Sequence, residues 1–310
     1  MKIRSILCPT DFSEFSRRAL EHATALARTH GAELVVLHVS PFMVGMAGDV
    51  PYFPSGLPLD AATRTRLLAD LEAATGPARA AGLTPQLILV EGDPADEILK
   101  QAGKAAADLI VMGTHGRRGL DRLVLGSVAR RVVQKAGCPV LTVPHPPEAA
   151  SGSPSPSYGH VLCPVDLGSS EETLAAAFSF ARAARARLTL LYVLEGVPQL
   201  EVAVRMAGTD WAEFRERLEK SARQSLRDAA SAAVGRGQDG AIWDEMVASG
   251  KPYREILEIA DAEGASLIVM GIHGQSAIER MFFGSTALHV VQQARCPVLT
   301  VRPSLERPKA

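Results

Sequence analysis

The chain contains the same pattern twice, and this duplication constrains its fold more than any other feature. "GTHGRRGLDRLVLGS" runs from Gly113 to Ser127 and "GIHGQSAIERMFFGS" runs from Gly271 to Ser285, each reading Gly-x-x-Gly, nine residues, then Gly-Ser. At this offset of 158, residues 108–143 and 266–301 are identical at 21 of 36 positions. A repeat of about 150 residues has the length of a domain and is too long for a solenoid unit.

The match extends toward the start of each copy. "CPTD" at 8–11 pairs with "CPVD" at 163–166, and further identities join Gly92, Pro94, Glu97, Ile98 and Leu99 to Gly250, Pro252, Glu255, Ile256 and Leu257. Between the copies lies "PHPPEAASGSPSPS", whose proline and serine content indicates a semi-extended linker. We therefore predict one domain over 1–143, a linker over 144–157 and a second domain over 158–303.

Short apolar runs alternate with helical patterns in each copy. In the first copy, strands are predicted at "IRSILCP", "AELVVLHV", "QLILVEG", "DLIVMG" and "CPVLTV". Helices are predicted from Ser13 to His30, through about Ala81, over "DPADEILKQAGKA" and from Ser127, with a loop rich in Pro and Gly over 40–58. Strands that alternate with helices and are apolar throughout indicate an α/β fold, with a mainly parallel sheet covered on both faces.

The bulk composition excludes several classes of protein. The hydrophobic fraction of 47% and the charged fraction of 22% are typical of a soluble globular protein. A formal net charge of −1 gives no general attraction to nucleic acid or to an anionic membrane. Neither a signal peptide nor a membrane-spanning segment is predicted, so a cytoplasmic protein is expected. Each of the four cysteines precedes a proline, and buried thiols in strands are expected rather than a metal or dithiol site.

The glycine motif suggests an anion site. Gly113 ends an apolar strand, where a tight change of direction favours a residue without Cβ. Gly126 and Ser127 begin the last helix, with Ser127 as the expected N-cap, so backbone N–H groups and a hydroxyl point to one place at the positive end of a helix dipole. A phosphate chain is the candidate ligand. Glycines that only shape a turn are the alternative reading.

An aspartate follows the first strand in both copies, at Asp11 and Asp166. Ligands of doubly wound sheets bind beyond the carboxyl ends of the strands, where the strand order reverses. If the first and fourth strands are neighbours, Asp11 and the segment 113–127 share one crevice. Because a carboxylate repels phosphates, Asp11 should face a donor on an adenine or a ribose; capping of the helix near Ser13 is its other reading, and both roles can coexist.

These features together resemble the universal stress protein family in its tandem-domain form. The paired glycine motifs, the aspartate after the first strand and the closing "CPVLTV" carry the resemblance, which covers nearly the whole chain. It implies two Rossmann-like domains, each doubly wound with a five-stranded parallel sheet in the order 3-2-1-4-5. Members of the family with this glycine signature bind ATP, and members that lack it generally do not.

The resemblance implies one nucleotide site in each copy. In the first, the adenine and ribose would contact Pro9, Thr10, Asp11 and Val39, and the ribose and phosphates would contact Met112, Gly113, His115, Gly116, Gly126, Ser127 and Val128. In the second, the corresponding residues are Pro164, Val165, Asp166 and Val193, then Met270, Gly271, His273, Gly274, Gly284, Ser285 and Thr286. ATP is the implied ligand, with Mg²⁺ held mainly by phosphate oxygens and water.

The copies differ in charge near the glycine motif. The first carries Arg117, Arg118, Arg122, Arg130 and Arg131, where the second carries Gln275, Ser276, Arg280, Leu288 and His289. Additional positive charge favours a triphosphate, although exposed arginines usually contribute little. We therefore predict that the first site binds the nucleotide more tightly.

No dedicated catalytic set is apparent. His115 and His273 have no obvious Ser-His-Asp arrangement around them, so they are expected to line a ribose pocket rather than to act as general bases. No cluster of His, Asp and Glu has metal-ligand spacing, and the P-loop pattern is absent. Any ATP hydrolysis should be slow.

Two further features bear on partners. The closing strands, Cys138–Val143 and Cys296–Val301, would lie at sheet edges in the family strand order, where they could pair with each other as an internal pseudo-dimer. The helical stretch from Trp211 to Ala233 is expected to direct Trp211, Phe214, Leu218, Ala222 and Leu226 into a core. A homodimer of whole chains stays open. The predicted function is ATP-dependent stress regulation; the alternatives are a slow ATPase and a protein-interaction scaffold that binds no nucleotide.

Overall fold

The structure is a computed structural model of the chain. It describes residues 2–41, 45–47, 50–52, 59–115, 125–144, 156–167, 171–234, 242–272 and 284–302. The chain divides into two compact units, here called half one (Lys2–Pro156) and half two (Ser157–Ala310). The boundary between them falls within the predicted linker.

Half one alternates strands and helices. Its strands are β1 (Ser5–Pro9), β2 (Glu33–Ser40), β3 (Gly45–Ala47), β4 (Val50–Tyr52), β5 (Gln86–Glu91), β6 (Leu109–Gly113) and β7 (Val140–Val143). Its helices are α1 (Glu14–His30), α2 (Ala61–Ala74), α3 (Gly76–Ala80), α4 (Pro94–Lys104) and α5 (Ser127–Lys135).

Half two repeats this order, again with two helices between its second and third sheet strands. Its strands are β8 (His160–Pro164), β9 (Arg187–Leu194), β10 (Asp244–Ser249), β11 (Leu267–Gly271) and β12 (Val298–Val301). Its helices are α6 (Glu171–Ala184), α7 (Val197–Met206), α8 (Trp211–Val234), α9 (Pro252–Ala262) and α10 (Ser285–Gln293). Half two has α7 where half one has β3 and β4.

The strand order confirms the predicted fold in both halves. Within half one the order is β5-β2-β1-β6-β7, and within half two it is β10-β9-β8-β11-β12. Counted without the short β3 and β4, both orders are 3-2-1-4-5, and all these neighbours pair in parallel. Each half is therefore a doubly wound domain whose strand order reverses beside its first strand.

The central strands form the core of each sheet because their side chains are apolar on both faces. All five residues of β1 and all five of β6 are buried, whereas β5 at the outer end of the order is mostly half-buried. Leu7 and Ile110, paired across β1 and β6, are wholly inaccessible to solvent. Burial of each such side chain contributes about 1.5–3 kcal/mol.

Local capping explains where the helices begin and end. Ser13 caps α1 by accepting a hydrogen bond from the Ser16 amide, and Gly31 ends the helix in the left-handed conformation that its sequence position predicted. Asp93 caps α4 in the same way, with Pro94 as the first helical residue.

The repeated Gly-x-Pro-x-x-Glu motif has a packing role. Gly92 has a φ of +150°, and a Cβ added to it would lie 2.9 Å from Cγ of Glu97. Gly250 has a φ of +158° and is covered in the same way by Glu255. Glycine is therefore required where β5 and β10 turn into the following helices, which accounts for this identity between the copies without a ligand.

Outside the candidate site, the structure departs from the sequence predictions at three places. The predicted loop over 40–58 contains the short antiparallel strands β3 and β4. The helix predicted through Ala81 ends at Thr75 and resumes as α3, with Pro77 in its first turn. On α8, Ala222 and Leu226 are buried as predicted. The N-terminal part of the predicted apolar face is only half-buried, at Trp211, Phe214 and Leu218.

The cysteines lie in apolar surroundings. Cys8 and Cys163 are buried in β1 and β8, and burial raises the pKa of each thiol to about 12. Cys138 and Cys296 are half-buried just before β7 and β12, where burial again raises the thiol pKa, to about 11 and about 12. All four thiols are protonated at neutral pH and therefore poor nucleophiles. Among the helices that the structure describes, none is both long and apolar enough to cross a lipid bilayer.

Candidate functional site

The candidate site lies where the strand order of each half reverses. In half one, β1 and β6 are neighbours, with Ile6 opposite Leu109. This adjacency was the condition for a crevice shared by Asp11 and the glycine segment. Continuing this register by four residues places Thr10 beside Gly113 at the carboxyl edge, while the pairing of Pro9 with Leu37 places Asp11 beside Val39. The predicted nucleoside residues and the strand end before the glycine segment therefore meet at one edge.

The segment between β1 and α1 is held by a chain of hydrogen bonds. The Thr10 amide donates to the carbonyl of Leu37 at 2.8 Å, and Thr10 Oγ1 accepts from the Phe12 amide at 3.1 Å. Because the Ser16 hydroxyl donates its only proton to the Ser13 carbonyl at 2.9 Å, it must accept from Thr10 Oγ1, 3.1 Å away. The segment is thus fixed on both sides of Asp11.

Asp11 contacts the residue that caps α1 and is not itself the helix cap, so the capping role suggested by its sequence position is wrong. Its Oδ1 atom accepts hydrogen bonds from the amide and the hydroxyl of Ser13, at 3.0 and 2.6 Å. Ser13, not Asp11, is the N-cap of α1, so the carboxylate supports the capping residue rather than the helix directly. These two contacts orient the carboxylate at the carboxyl edge of the sheet.

Gly113 is required by packing against α1. A Cβ at this position would lie 3.0 Å from the backbone carbonyl carbon and from Cβ of Phe15, and 3.1 Å from the Phe15 oxygen. Backbone atoms cannot move aside as a flexible side chain can. The missing side chain of Gly113 therefore lets the first turn of α1 lie directly on the end of β6, which brings Asp11 close to the glycine segment.

The start of α5 corrects one sequence prediction. Gly126 is the N-cap of α5, without a side-chain capping hydrogen bond, and Ser127 is the first helical residue rather than the N-cap. The Gly126 amide is also unavailable to a ligand, because it donates to the Thr114 carbonyl at 2.8 Å. This bond brings the two backbones so close that a Cβ on Gly126 would lie 3.1 Å from the same oxygen.

The first amides of α5 are the remaining backbone donors. The first hydrogen bond of the helix joins the Arg130 amide to the Gly126 carbonyl, so the amides of Ser127 and Val128 lie ahead of the intrahelical ladder. The bond between Gly126 and Thr114 fixes the end of the helix against the end of β6. The positive end of the α5 dipole is thereby placed at the same edge as Asp11.

Within the described ranges, His115 lies at this edge in contact with Thr114 and Phe15. Its Nδ1 atom is 2.9 Å from Thr114 Oγ1, and its ring lies 5.3 Å from the Phe15 ring between centroids. Its Nε2 atom is buried and has no hydrogen-bond partner within the described part of the chain. A neutral hydroxyl does not stabilise an imidazolium as a carboxylate does, so the geometry favours pocket lining over general-base catalysis.

Half two repeats the backbone of this arrangement. β8 pairs with β11, with Val161 opposite Leu267, and the Val165 amide donates to the Leu191 carbonyl at 2.8 Å. Gly284 is the N-cap of α10, and its amide donates to the Ile272 carbonyl at 2.9 Å. Asp166, Val193, Met270 and the α10 residues Ser285 and Thr286 therefore occupy equivalent backbone positions. Gly116, His273 and Gly274 lie outside the described residues.

The charge distribution differs between the halves one turn into the last helix. Arg131 of α5 contacts the start of α4, with Nη1 2.9 and 3.0 Å from the Asp93 oxygens and Nη2 2.7 Å from Asp96 Oδ1. The Asp96 amide and the Arg131 guanidinium lower the pKa of Asp93 below its usual range. At the equivalent place in half two, the ring of His289 stacks on Tyr253 with centroids 4.6 Å apart.

Sequence reasoning missed the side chains that hold the first segment in place. Ser16 and His38 contribute to its hydrogen bonds, and both are buried. A signal for His38 was present, because it is a polar residue inside the otherwise apolar run "AELVVLHV". In the described ranges, no group of three or more His, Cys, Asp or Glu side chains is arranged to hold a metal ion.

The chain is similar in sequence to known proteins of one family. The profile described as the universal stress protein family matches residues 2–144 and 157–302. Universal stress protein MJ0531 of Methanocaldococcus jannaschii is 39% identical over 153 residues, covering 46% of this chain and 83% of that protein.

A solved structure of one universal stress protein has the same fold as this chain. The crystal structure of a universal stress protein from Archaeoglobus fulgidus has a TM-score of 0.66 at 23% identity, covering 98% of this chain and 97% of that chain. A universal stress protein in complex with cAMP is 28% identical, covering 46% of this chain and 98% of that chain, with a TM-score of 0.36.

Proposed function

Because the chain belongs to the universal stress protein family, we propose that each half binds one adenine nucleotide at the carboxyl edge of its sheet. The family match covers both halves, including both glycine motifs. The site residues proposed are those that the sequence resemblance implied, now with the Gly126 and Gly284 amides assigned to internal hydrogen bonds.

One observation supports this proposal above the others. In both halves, the amide of the N-cap glycine donates to the residue after the fourth strand, at 2.8 Å to Thr114 and 2.9 Å to Ile272. The bond places the first amides of α5 and α10 at the same sheet edge as Asp11 and Asp166. Phosphates suit the helix amides and the positive dipole end, while ribose or adenine donors suit the carboxylate.

The proposal separates the ligand into two ends. The polyphosphate lies against the amides of Ser127 and Val128, or of Ser285 and Thr286 in half two. The nucleoside lies toward Asp11 and Val39, or toward Asp166 and Val193. Mg²⁺, if present, is held by phosphate oxygens and water, since hard oxygen ligands suit it and it retains several waters.

We propose a regulatory rather than a catalytic use of the nucleotide. Among the described residues, the hydrogen bond that orients His115 is with the Thr114 hydroxyl, and a hydroxyl contact does not create a general base. Occupancy would instead alter conformation or the choice of protein partner in the cytoplasm. The pairing of Cys138–Val143 with Cys296–Val301, and a homodimer of whole chains, stay predictions.

The first test identifies the ligand without assuming it. Freshly purified protein is denatured, and the released small molecules are identified by mass spectrometry. The proposal expects an adenine nucleotide. Titration of the stripped protein with ATP, ADP, cAMP and GTP should then give two sites per chain and a preference for adenine. A protein that releases no nucleotide and binds none of the four would contradict the proposal.

The rate of phosphate release separates regulation from hydrolysis. In single-turnover experiments, with the protein in excess of ATP, phosphate release should be slow relative to the usual enzymatic range of about 1–1000 per second. Release within that range, abolished by Asp11→Asn and Asp166→Asn, would favour an ATPase instead.

A further inference from the structure

His38 is a buried polar side chain next to the proposed nucleoside site of half one. It lies near the carboxyl end of β2 and is 6% exposed. Its Nδ1 atom is 2.8 Å from the Thr10 carbonyl oxygen. A carbonyl oxygen only accepts hydrogen bonds, so Nδ1 carries the proton and donates it.

This contact fixes the residue before Asp11, and a second contact involves the residue after it. The Phe12 ring lies over the His38 ring, with centroids 4.4 Å apart. Phe12 has a φ of +63°, in the left-handed region that a bulky residue rarely adopts. Such a conformation persists only where the surroundings enforce it. His38 thus contacts both neighbours of Asp11.

Half two lacks this combination in its sequence. The strand registers pair Pro9 with Leu37 and Pro164 with Leu191, so Tyr192 occupies the position of His38. A tyrosine has its donor at the far end of its ring, whereas Nδ1 of histidine lies next to Cβ. Phe12 is replaced by Leu167 at the equivalent position, so the aromatic contact is also absent.

We infer that His38 is a positioning residue of the nucleotide site in half one, acting on the nucleoside end through Asp11. This inference rests on the proposed function. The Nδ1 donor fixes the Thr10 carbonyl, the ring supports Phe12, and the carboxylate between them is held ready for a ribose or adenine donor. The phosphate end is formed by α5 and is independent of His38.

Two substitutions separate the donor from the ring. His38→Phe retains an aromatic ring against Phe12 but removes the donor to Thr10. His38→Asn removes the ring but retains an N–H donor close to the position of Nδ1. Both are made in the full chain with Gly284→Asp, which places a carboxylate at the phosphate end of half two so that half one is measured alone.

The readout compares three ligands that probe different parts of the site. Affinities for ATP, adenosine and inorganic tripolyphosphate are measured by competition with a fluorescent ATP analogue. His38→Phe should weaken ATP and adenosine binding by about 10-fold each, because the buried Thr10 carbonyl loses its donor and the segment loosens. Tripolyphosphate binding should change by less than about 2-fold. His38→Asn should recover most of the nucleoside affinity.

A double substitution tests whether the effect passes through Asp11. With Asp11→Asn already present, His38→Phe should cost less than about 3-fold for adenosine, because the group it positions has been altered. Equal losses with and without Asp11→Asn would overturn the inference.

The remaining outcomes distinguish this inference from the proposed function. Loss of tripolyphosphate binding in parallel with adenosine binding would indicate general disruption of half one and would overturn the inference. So would unchanged adenosine binding in His38→Phe, or an equal defect in His38→Asn. If the parent protein binds no adenine nucleotide, the proposed function fails and this inference fails with it.

Discussion

The two halves have the same backbone at the candidate site but different side chains around it. In each, an amide after the first strand donates to the second strand at 2.8 Å, through Thr10 to Leu37 in half one and through Val165 to Leu191 in half two. In each, the N-cap glycine of the last helix donates to the residue after the fourth strand. The fold itself therefore determines the position of these groups.

Side-chain hydrogen bonds fix the segment after the first strand in half one. Thr10 and Ser13 take part in these hydrogen bonds, whereas the aligned positions at an offset of 155 are Val165 and Gly168, which have no side-chain hydroxyl. In this comparison, half one has more side chains that can organise the site before a ligand binds. A site that is organised before binding loses less entropy when the ligand arrives. This favours tighter binding by half one.

The described arginines give little support for the charge advantage that the sequence suggested for nucleotide binding by half one. Arg131 was among the arginines expected to strengthen the first site, but its guanidinium is engaged by Asp93 and Asp96. Arg130 is exposed on the surface of α5. The other three arginines, at 117, 118 and 122, lie outside the described residues. Among the described residues, the hydrogen bonds around Asp11 are therefore the main support for tighter binding by half one.

The largest expected effect comes from placing a charge at the N-cap glycine. Gly126→Asp should reduce ATP binding by half one about 100-fold, because its carboxylate would lie within a few ångströms of the phosphates. Gly284→Asp should do the same in half two. Calorimetric titration should then give one site per chain in place of two.

Serine is the matched control for these substitutions. Gly126→Ser and Gly284→Ser add the same Cβ, which meets Thr114 O at 3.1 Å or Ile272 O at 3.3 Å, but add no charge. Serine and aspartate are both favourable at an N-cap, so both variants should remain folded. Equal effects of serine and aspartate would show that the steric contact, not the anion, determines binding.

A second difference concerns acid stability. His22 of α1 is buried, and burial together with the nearby Arg18 lowers its pKa to about 4. Because the unfolded state binds the proton at a pKa near 6.5, half one should lose about 2 kcal/mol of stability from this group between pH 7 and pH 5. Counted back from the ends of α1 and α6, half two has Ala176 at this position.

Hydrogen exchange resolves this difference between the halves. Protection of peptides from α1 should fall more steeply with decreasing pH than protection of peptides from α6, after correction for the intrinsic exchange rate. His22→Ala should make the two slopes alike, even if it lowers the overall stability. An unchanged slope in that variant would exclude His22 as the cause.

The two aspartates allow a direct test of the nucleoside end. Asp11→Asn should weaken adenosine binding by half one about 10-fold, because a charge-assisted hydrogen bond becomes neutral. Asp166→Asn should have a smaller effect, because the aligned position of Ser13, whose hydroxyl donates to Asp11, is Gly168 in half two. Asp11→Asn is titrated with adenosine in the Gly284→Asp protein, and Asp166→Asn in the Gly126→Asp protein, so that each half is measured alone. A larger loss for Asp166→Asn would reverse the ranking of the halves.

Thr10→Val gives half one the residue that half two has at this position. The substitution leaves the part-buried Phe12 amide without its acceptor and Ser16 without its donor. We expect a loss of about 1 kcal/mol in the stability of half one and a nucleotide affinity closer to that of half two. Denaturant unfolding and titration measure the two effects separately. Unchanged affinity would show that the hydrogen bonds of Thr10 are not what distinguishes nucleotide binding by the two halves.

The smallest effect is expected for Arg131→Ala. Because the guanidinium is held by Asp93 and Asp96, its removal should change ATP affinity by less than about 3-fold. Arg130→Ala, on the exposed surface of the same helix, is the matched control. A loss of 10-fold or more in Arg131→Ala alone would mean that the side chain leaves the acids to contact phosphate.

The fold followed from the sequence because its signals are local and occur twice. Continuous apolar strands such as "LIVMG" and the caps at Ser13 and Gly31 depend on neighbouring residues only. The helix start at Gly126 was misplaced because the Gly126 amide is fixed by Thr114, a tertiary contact that no local pattern contains. Helix α7 lies in a segment in which the halves share no sequence pattern, so alignment of the copies gave no prediction there.

The site was predictable at the level of the backbone but not of the supporting side chains. Adjacency of the first and fourth strands follows from the strand order, and it brings Asp11 to the glycine segment. The role of Gly113 required knowledge that Phe15 lies against it. His38 and Ser16 are separated from Thr10 by 28 and 6 residues, and their orientation toward it depends on the packing of α1 and β2.

A crystal structure of the full chain grown with excess ATP tests the central claim most directly. We expect phosphate density against the amides of Ser127 and Val128 and of Ser285 and Thr286, with the nucleoside toward Asp11 and Asp166. Density at both sites, or at half one alone when nucleotide is limiting, is the predicted result. A structure in which these amides are engaged by the protein itself and side chains fill the crevice in both halves, despite excess ATP, would contradict it.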